Sequence, residues 1–181
     1  MEQTGESGGV INFSLTEEDN QRLLINKTAV LISAAMRIGA ILGKAPQPVE
    51  EALASYGLAV GIAFQMVDDC LDYIGDEQDL RKAIGTDLKE GKVTLPLIYT
   101  LGRCTPPEKK QIQDIMLSEQ FPPHGLQRII TLINKYEGFA YAFSQAQRFI
   151  EEGKERLSIL PASREKDALI AGANYVVRRR E

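Results

Sequence analysis

Residues 61–96 read GIAFQMVDDCLDYIGDEQDLRKAIGTDLKEGKVTLP, an apolar run that ends in carboxylates and passes into a Gly- and Lys-punctuated segment. Working back from it, no charged residue occurs between Ala52 and Val67, and apolar side chains fall all round a helical wheel. A helix of that kind is either a membrane span or the centre of a helical core. The run is shorter than the ~18–20 residues a bilayer requires, and Ser55, Tyr56, Gly57, Gly61 and Gln65 dilute it. The central-core reading follows, and the fold class it sets is an all-α helical bundle with no integral membrane segment.

The carboxylates are placed by helical spacing. Taking Asp68 as the origin, Asp72 lies about 40° away, Gln65 about 60° and Asp69 about 100°. Three acids and an amide therefore share one arc at the end of an apolar rod. Carboxylates held that close repel one another by about 1 kcal/mol per pair in water, and more at a protein surface. Oxygen-only donors on a rigid helix suit Mg²⁺, which keeps several waters and bridges a few carboxylates to substrate phosphates. A solvated acidic helix end is the plain alternative. An EF-hand does not fit, because its glycine and terminal Glu are out of register.

The following segment favours the metal reading. From Asp68 to Asp79 there are six acidic residues and no basic one; from Arg81 to Lys92 come Arg81, Lys82, Lys89 and Lys92 against Asp87 and Glu90. Gly85 and Gly91 permit backbone turns between them. A metal bridging oxygens and mobile lysines neutralising the remaining charge is the requirement of a bound diphosphate.

A helix over residues 17–43 gives an independent clue. Ser14-Leu15-Thr16-Glu17 is a candidate capping box, and Gly43 with Pro46 ends the run. Leu23, Leu24, Val30, Leu31, Ala34, Ile38 and Ile41 form one stripe, expected to face the core, with Lys27 at its middle and Thr28 beside it. A lysine there costs stability unless it meets an anion or snorkels to water. Lys27 and Thr28 are therefore expected to face the same wet cavity as the acids.

KTAVLISAA (residues 27–35), GIAFQMVDDCLDY (residues 61–73) and IGTDLKEGKVTLPLI (residues 84–98) together resemble the C-terminal half of trans-type polyprenyl diphosphate synthases. VDDCLD resembles that family's second aspartate-rich motif, with FQ upstream in agreement, and YVVRRR at residues 175–180 is weakly similar to its basic C-terminus. The resemblance runs from about Gly5 to Arg180. Family members are about twice as long, and the first aspartate-rich motif has no counterpart here. The chain is thus expected to begin near the middle of the family fold, as a truncated product, a fragment or one piece of a split enzyme. Arg81 stands where the family usually has glycine before Lys82.

The resemblance implies head-to-tail condensation: an allylic diphosphate ionises with the help of Mg²⁺, and isopentenyl diphosphate attacks the cation to lengthen the chain. It assigns metal binding to Asp68, Asp69 and Asp72, diphosphate contact to Lys27 and Lys82, and cavity dipoles to Thr28 and Gln65. Lys27, Thr28 and Gln65 thereby become the candidate catalytic residues. Lys92 is a further phosphate candidate, and Asp87 a support for the metal. Without the first motif the chain alone is expected not to complete condensation, and exposed apolar helix faces imply a homo-oligomer or pairing with an N-terminal half. Two alternatives stay open: a non-catalytic regulatory or scaffolding subunit of a hetero-oligomeric prenyl synthase, or another helical diphosphate enzyme such as a terpene cyclase. The residue 85–96 segment favours chain elongation.

Composition bounds the rest. The chain of 181 residues is 44% hydrophobic with a formal charge of −4, enough for one core and contrary to a nucleic-acid partner. Arg178–Arg180 reads as a solvated tail. Cys70 and Cys104 lack metal-ligand spacing and indicate a reducing, cytoplasmic setting. Seven helices and no strands are predicted, one of them begun at Thr105-Pro106-Pro107-Glu108 by cap, proline and capping box, with residues 1–181 a single region and 1–13 poorly ordered. The residue 75–93 segment is taken as the one long loop.

Overall fold

The computed structural model describes residues 11–74 and 84–179, and among these the chain is helical without strands. Helix α1 (Glu17–Leu24) passes through a π-helical turn (Ile25–Ala29) directly into α2 (Val30–Leu42), and α3 (Gln47–Ile74) follows after a short turn. Beyond residue 83 come α4 (Thr86–Lys89), α5 (Leu95–Leu101), α6 (Pro106–Met116), α7 (Gly125–Lys135), α8 (Gly138–Arg156) and α9 (Arg164–Arg178). Each predicted helix is present; α4 is additional and lies in the expected loop. Residues 1–10, part of the stretch expected to be poorly ordered, are outside the described residues. Ile11 is placed, with its side chain against Gly91.

Helix ends follow local chemistry. Thr105 and Glu108 form the expected capping box at the start of α6, and Lys135 and Tyr136 also bond to Glu108. These partners, Lys135 first, hold the Glu108 carboxyl well below the usual carboxylate range. At α1 the box is Thr16 with Asp19 rather than Ser14 with Glu17: the Asp19 N–H donates to Thr16 Oγ1, and the Thr16 N–H and hydroxyl donate to Asp19 Oδ2.

The chain divides into two compact units. The first (residues 1–20 and 69–142) contains α4 to α7 and the C-terminal turn of α3, around a core that includes Tyr73, Leu88, Leu97, Ile112, Ile129 and Ile133. In it Tyr73 meets Phe139 edge-on, and Gly138 lies where a Cβ would strike the Pro96 carbonyl at 2.5 Å. The second unit (residues 21–68 and 143–181) contains α2, α9 and the greater part of α3 and α8. Its core includes Ala29, Ile62, Ala63, Val67, Ala146 and Ile150.

Within the second unit α2 contacts α3 through small residues, and here the sequence expectation is corrected. A Cβ on Gly61 would lie 2.6 Å from Ala29 Cα, and one on Gly57 would lie 2.9 Å from the Ile32 carbonyl oxygen. Ser33 Oγ donates to the Ala54 carbonyl across the same contact. Ala29, Ser33, Met36 and Ala40 recur with helical period and supply this inner face. Of the predicted stripe Leu24 is buried, but most of the large apolar residues lie on the other side: Leu23, Val30, Leu31, Ile38, Ile41 and Leu42 are exposed, Leu31 at 74% and Leu42 at 78%. Small side chains win the contact because they allow close backbone approach, which tight packing rewards. The π turn also adds a residue, so a 3.6-residue count carried across it loses phase by about 100°. By length and composition the rod Glu17–Leu42 is apolar enough to cross a membrane. Lys27 and Arg37 within it, and its small-residue contact with α3, are features of a helix that packs on protein.

Candidate diphosphate-binding site

Each compact unit holds its own polar group. In the second unit, the π turn sets Lys27 and Thr28 at the start of the α2 contact with α3. Thr28 Oγ1 donates to Gln65 Oε1 at 2.9 Å, and Gln65 Nε2 donates to Asp68 Oδ2 at 3.4 Å. Gln65 is buried, so both ends of its amide must be matched, and these two bonds match them. The Thr28 proton is committed to Gln65, which leaves its oxygen lone pairs free to face a cation or a metal-bound water. Lys27 is exposed rather than buried within an apolar stripe, so the expected desolvation cost does not arise in this chain. π turns inside α-helices recur at functional sites, and this one carries the residue pair singled out from sequence.

Arg179 joins the same group from the end of α9, where a solvated tail was expected. Its Nη2 is 4.0 Å from Asp68 Oδ1, and its guanidinium lies over the Phe64 ring at 4.8 Å. Of the described pair, Arg178 is exposed and Arg179 half-buried.

In the first unit, Asp69 and Asp72 are buried at 4% and 6% exposure. The Asp87 N–H donates to Asp72 Oδ2 at 3.0 Å, and the Gly85 N–H donates to the Asp72 carbonyl at 2.6 Å. Gly85 has φ of 73°, the left-handed conformation in which glycine is least strained. The segment entering α4 is therefore fastened to the acidic end of α3. Lys92 donates to Asp87 Oδ1 at 2.8 Å and pairs with Glu90 at the same distance. Partial burial alone would lower the Lys92 ammonium, but its bonds to Asp87 and Glu90 outweigh that and hold it above the usual lysine range. Tyr73 hydrogen-bonds Thr94 at 2.9 Å. Burial first, then the charges of Asp69, Asp72 and Asp87, push the Tyr73 hydroxyl above its usual range, so it stays protonated beside them. Lys82 lies outside the described residues, as does Arg81.

Among the described residues no three His, Cys, Asp or Glu side chains are gathered to hold a metal ion by themselves. The donor set still fits Mg²⁺. Asp68, whose side chain is 48% exposed, presents hard oxygen donors on a rigid helix. Burial, with Asp69 beside it, raises the Cys70 thiol, so no soft thiolate competes. Mg²⁺ commonly takes one or two protein carboxylates and completes its shell with water and substrate oxygens.

Known proteins define the class first. The solved polyprenyl synthase of Caulobacter crescentus, complexed with calcium and isoprenyl diphosphate, superposes with a TM-score of 0.90 at 31% identity, over 94% of this chain and 52% of that one. The fold is that of the helical isoprenoid synthases. Among relatives, the geranylgeranyl diphosphate synthase of Saccharolobus solfataricus is 36% identical over 171 residues, covering 93% of this chain and 51% of its own. Heptaprenyl diphosphate synthase component 2 of Bacillus subtilis is 31% identical over 88% of this chain and 44% of its own. Residues 3–133 match the Polyprenyl synthetase family, and the chain belongs to it. It spans about half the length of the relatives it matches.

Sequence reasoning named Asp87 as a support for the metal but missed the contacts of Phe64 and Arg179. Asp87 carried a weak signal as an acid in a basic segment. Phe64 had only its place one turn before Asp68. Arg179 had the basic triplet but nothing local to show that it folds back on a residue 111 positions away.

Proposed function

We propose that this chain is the diphosphate-binding half of a trans-polyprenyl diphosphate synthase, which condenses an allylic diphosphate with isopentenyl diphosphate. The observation that carries the reading is the Thr28–Gln65–Asp68 hydrogen-bond chain beside Lys27. It aligns a hydroxyl, an amide and an accessible carboxylate on residues whose motifs are those of the family. In this role the Lys27 ammonium binds the allylic diphosphate and neutralises charge that grows on it as the carbon–oxygen bond breaks. Gln65, fixed at both ends, holds Asp68 in place, and the Thr28 lone pairs face the developing cation. Asp69 and Asp72 continue the acidic end of α3; the Asp72 bond to the Asp87 N–H, itself supported by Lys92, fixes one of its oxygens. Lys82 is proposed as a second diphosphate contact. Asp68 would hold Mg²⁺, with water and diphosphate oxygens completing its shell, and the metal would supply positive charge that makes the diphosphate a better leaving group.

The exposed stripe from Leu23 to Leu42 supports pairing with a polypeptide that carries the first half of the fold. The two free cysteines suit a reducing, cytoplasmic setting. The test is product analysis with Mg²⁺, farnesyl diphosphate and isopentenyl diphosphate, first with this chain and then with an added first-half polypeptide. Elongation is expected only in the mixture. Efficient elongation by this chain alone, or a mixture in which Lys27→Ala has no effect, overturns the proposal.

A further inference from the structure

Asp68 is a half-exposed carboxylate of the second unit, yet both of its oxygens already face donors of this chain. Oδ2 receives the Gln65 amide at 3.4 Å, and Oδ1 faces Arg179 Nη2 at 4.0 Å. The Arg179 arrangement is marginal by its own geometry. At 4.0 Å the contact is an ion pair without a hydrogen bond. Arg179 Nη1 is enclosed and has no hydrogen-bond partner, an unfavourable state for a charged donor. What holds the guanidinium in place is mainly its position over Phe64, one helical turn before Asp68.

A hard divalent cation needs at least one Asp68 oxygen and brings two positive charges to the carboxylate that Arg179 faces across 4.0 Å. The two cations cannot share Oδ1 without strong repulsion. We infer that Arg179 is the resident counter-cation of Asp68, and that a divalent metal displaces it and frees the end of α9. The inference rests on the metal role proposed for Asp68. Because the pair is partly exposed, it is worth what such pairs are worth, so removing the arginine charge strengthens metal binding by about two- to five-fold. The gain shrinks as salt rises, because salt screens exposed pairs.

Two readouts test this without reference to activity. Free Mn²⁺, counted by electron paramagnetic resonance, gives the metal affinity of the full chain and of Arg179→Gln. Limited trypsin digestion at Arg178 and Arg179, followed by mass spectrometry, gives the accessibility of the α9 end with and without Mn²⁺. The expected results are tighter Mn²⁺ binding by Arg179→Gln at low salt, and faster cleavage of the unsubstituted chain when Mn²⁺ is present. Asp68→Asn provides a second arm that does not depend on the Arg179 variant folding: its α9 end is expected to be cut quickly with or without metal. Equal affinities in the two chains with a metal-independent cleavage rate refute the displacement while leaving the metal site standing. No Mn²⁺ binding by either chain overturns both the displacement and the metal reading on which it rests.

Discussion

Replacing Gly61 with alanine puts a methyl group where the backbone of the π turn already stands. The new Cβ would lie 2.6 Å from Ala29 Cα and 2.9 Å from Ala29 Cβ, against the ~3.5–4.0 Å of a normal carbon contact. The turn must retreat by roughly 1 Å, and Thr28 moves with it. The 2.9 Å bond from Thr28 to the buried Gln65 then passes its useful range. Overpacking costs about 1–3 kcal/mol and the lost bond about 1 kcal/mol, while alanine regains about 1 kcal/mol of helix propensity. The net expectation is a loss of about 1–3 kcal/mol. Gly39 is the control, because nothing lies within 4 Å of a Cβ added there. Gly39→Ala should gain up to about 1 kcal/mol from propensity alone. Urea unfolding followed by circular dichroism compares the two variants directly. A Gly61→Ala chain as stable as Gly39→Ala would refute close backbone contact as the reason for glycine at residue 61.

Other consequences are as direct. Tyr73→Phe leaves the buried Thr94 hydroxyl without its partner and should cost about 1–3 kcal/mol in thermal unfolding; no change would mean the pair contributes nothing. Glu108 has a folded pKa below its unfolded value of about 4.3, so its stabilisation is present above that pH and is lost as acidification passes the folded value. The unfolding temperature of the unsubstituted chain should therefore exceed that of Glu108→Gln at pH 7 and approach it in acid, and a gap constant with pH contradicts this. Leu31→Glu, at a position 74% exposed, should alter monomer stability by no more than about 0.5 kcal/mol yet reduce self-association in sedimentation velocity. An unchanged distribution of species would show that the apolar stripe is not the contact surface.

The sequence carried what depends on local chemistry and periodicity. Thr105 and Glu108 marked a helix start three residues apart, and the uncharged run before Asp68 marked a central helix. It placed Gln65 and Asp68 on one arc, and they are bonded. It did not carry what depends on partners. A helix can be apolar on one side and packed on the other, and only the Gly57/Gly61 spacing on α3 hinted that the small residues of α2 make the contact. The π turn has no compositional mark, so phase was lost at Lys27, the residue where it mattered. Arg179 meets Asp68 through tertiary structure alone, and Asp87 reaches Asp72 through its backbone N–H, a donor every residue but proline has.

The central claim is that Lys27 and Asp68 of the second unit act together on a metal-bound diphosphate. Isothermal titration of inorganic pyrophosphate into the chain, with and without Mg²⁺, tests it in the chain itself and in Lys27→Ala and Asp68→Ala. Both side chains are accessible, and because Asp68→Ala removes the acceptor of the Gln65 amide, circular dichroism first checks that each variant is folded. Binding that requires Mg²⁺ and weakens at least about tenfold in each variant is the predicted result, the scale of a lost charged hydrogen bond. Pyrophosphate binding that ignores Mg²⁺, or titrations that match across all three chains, would contradict it.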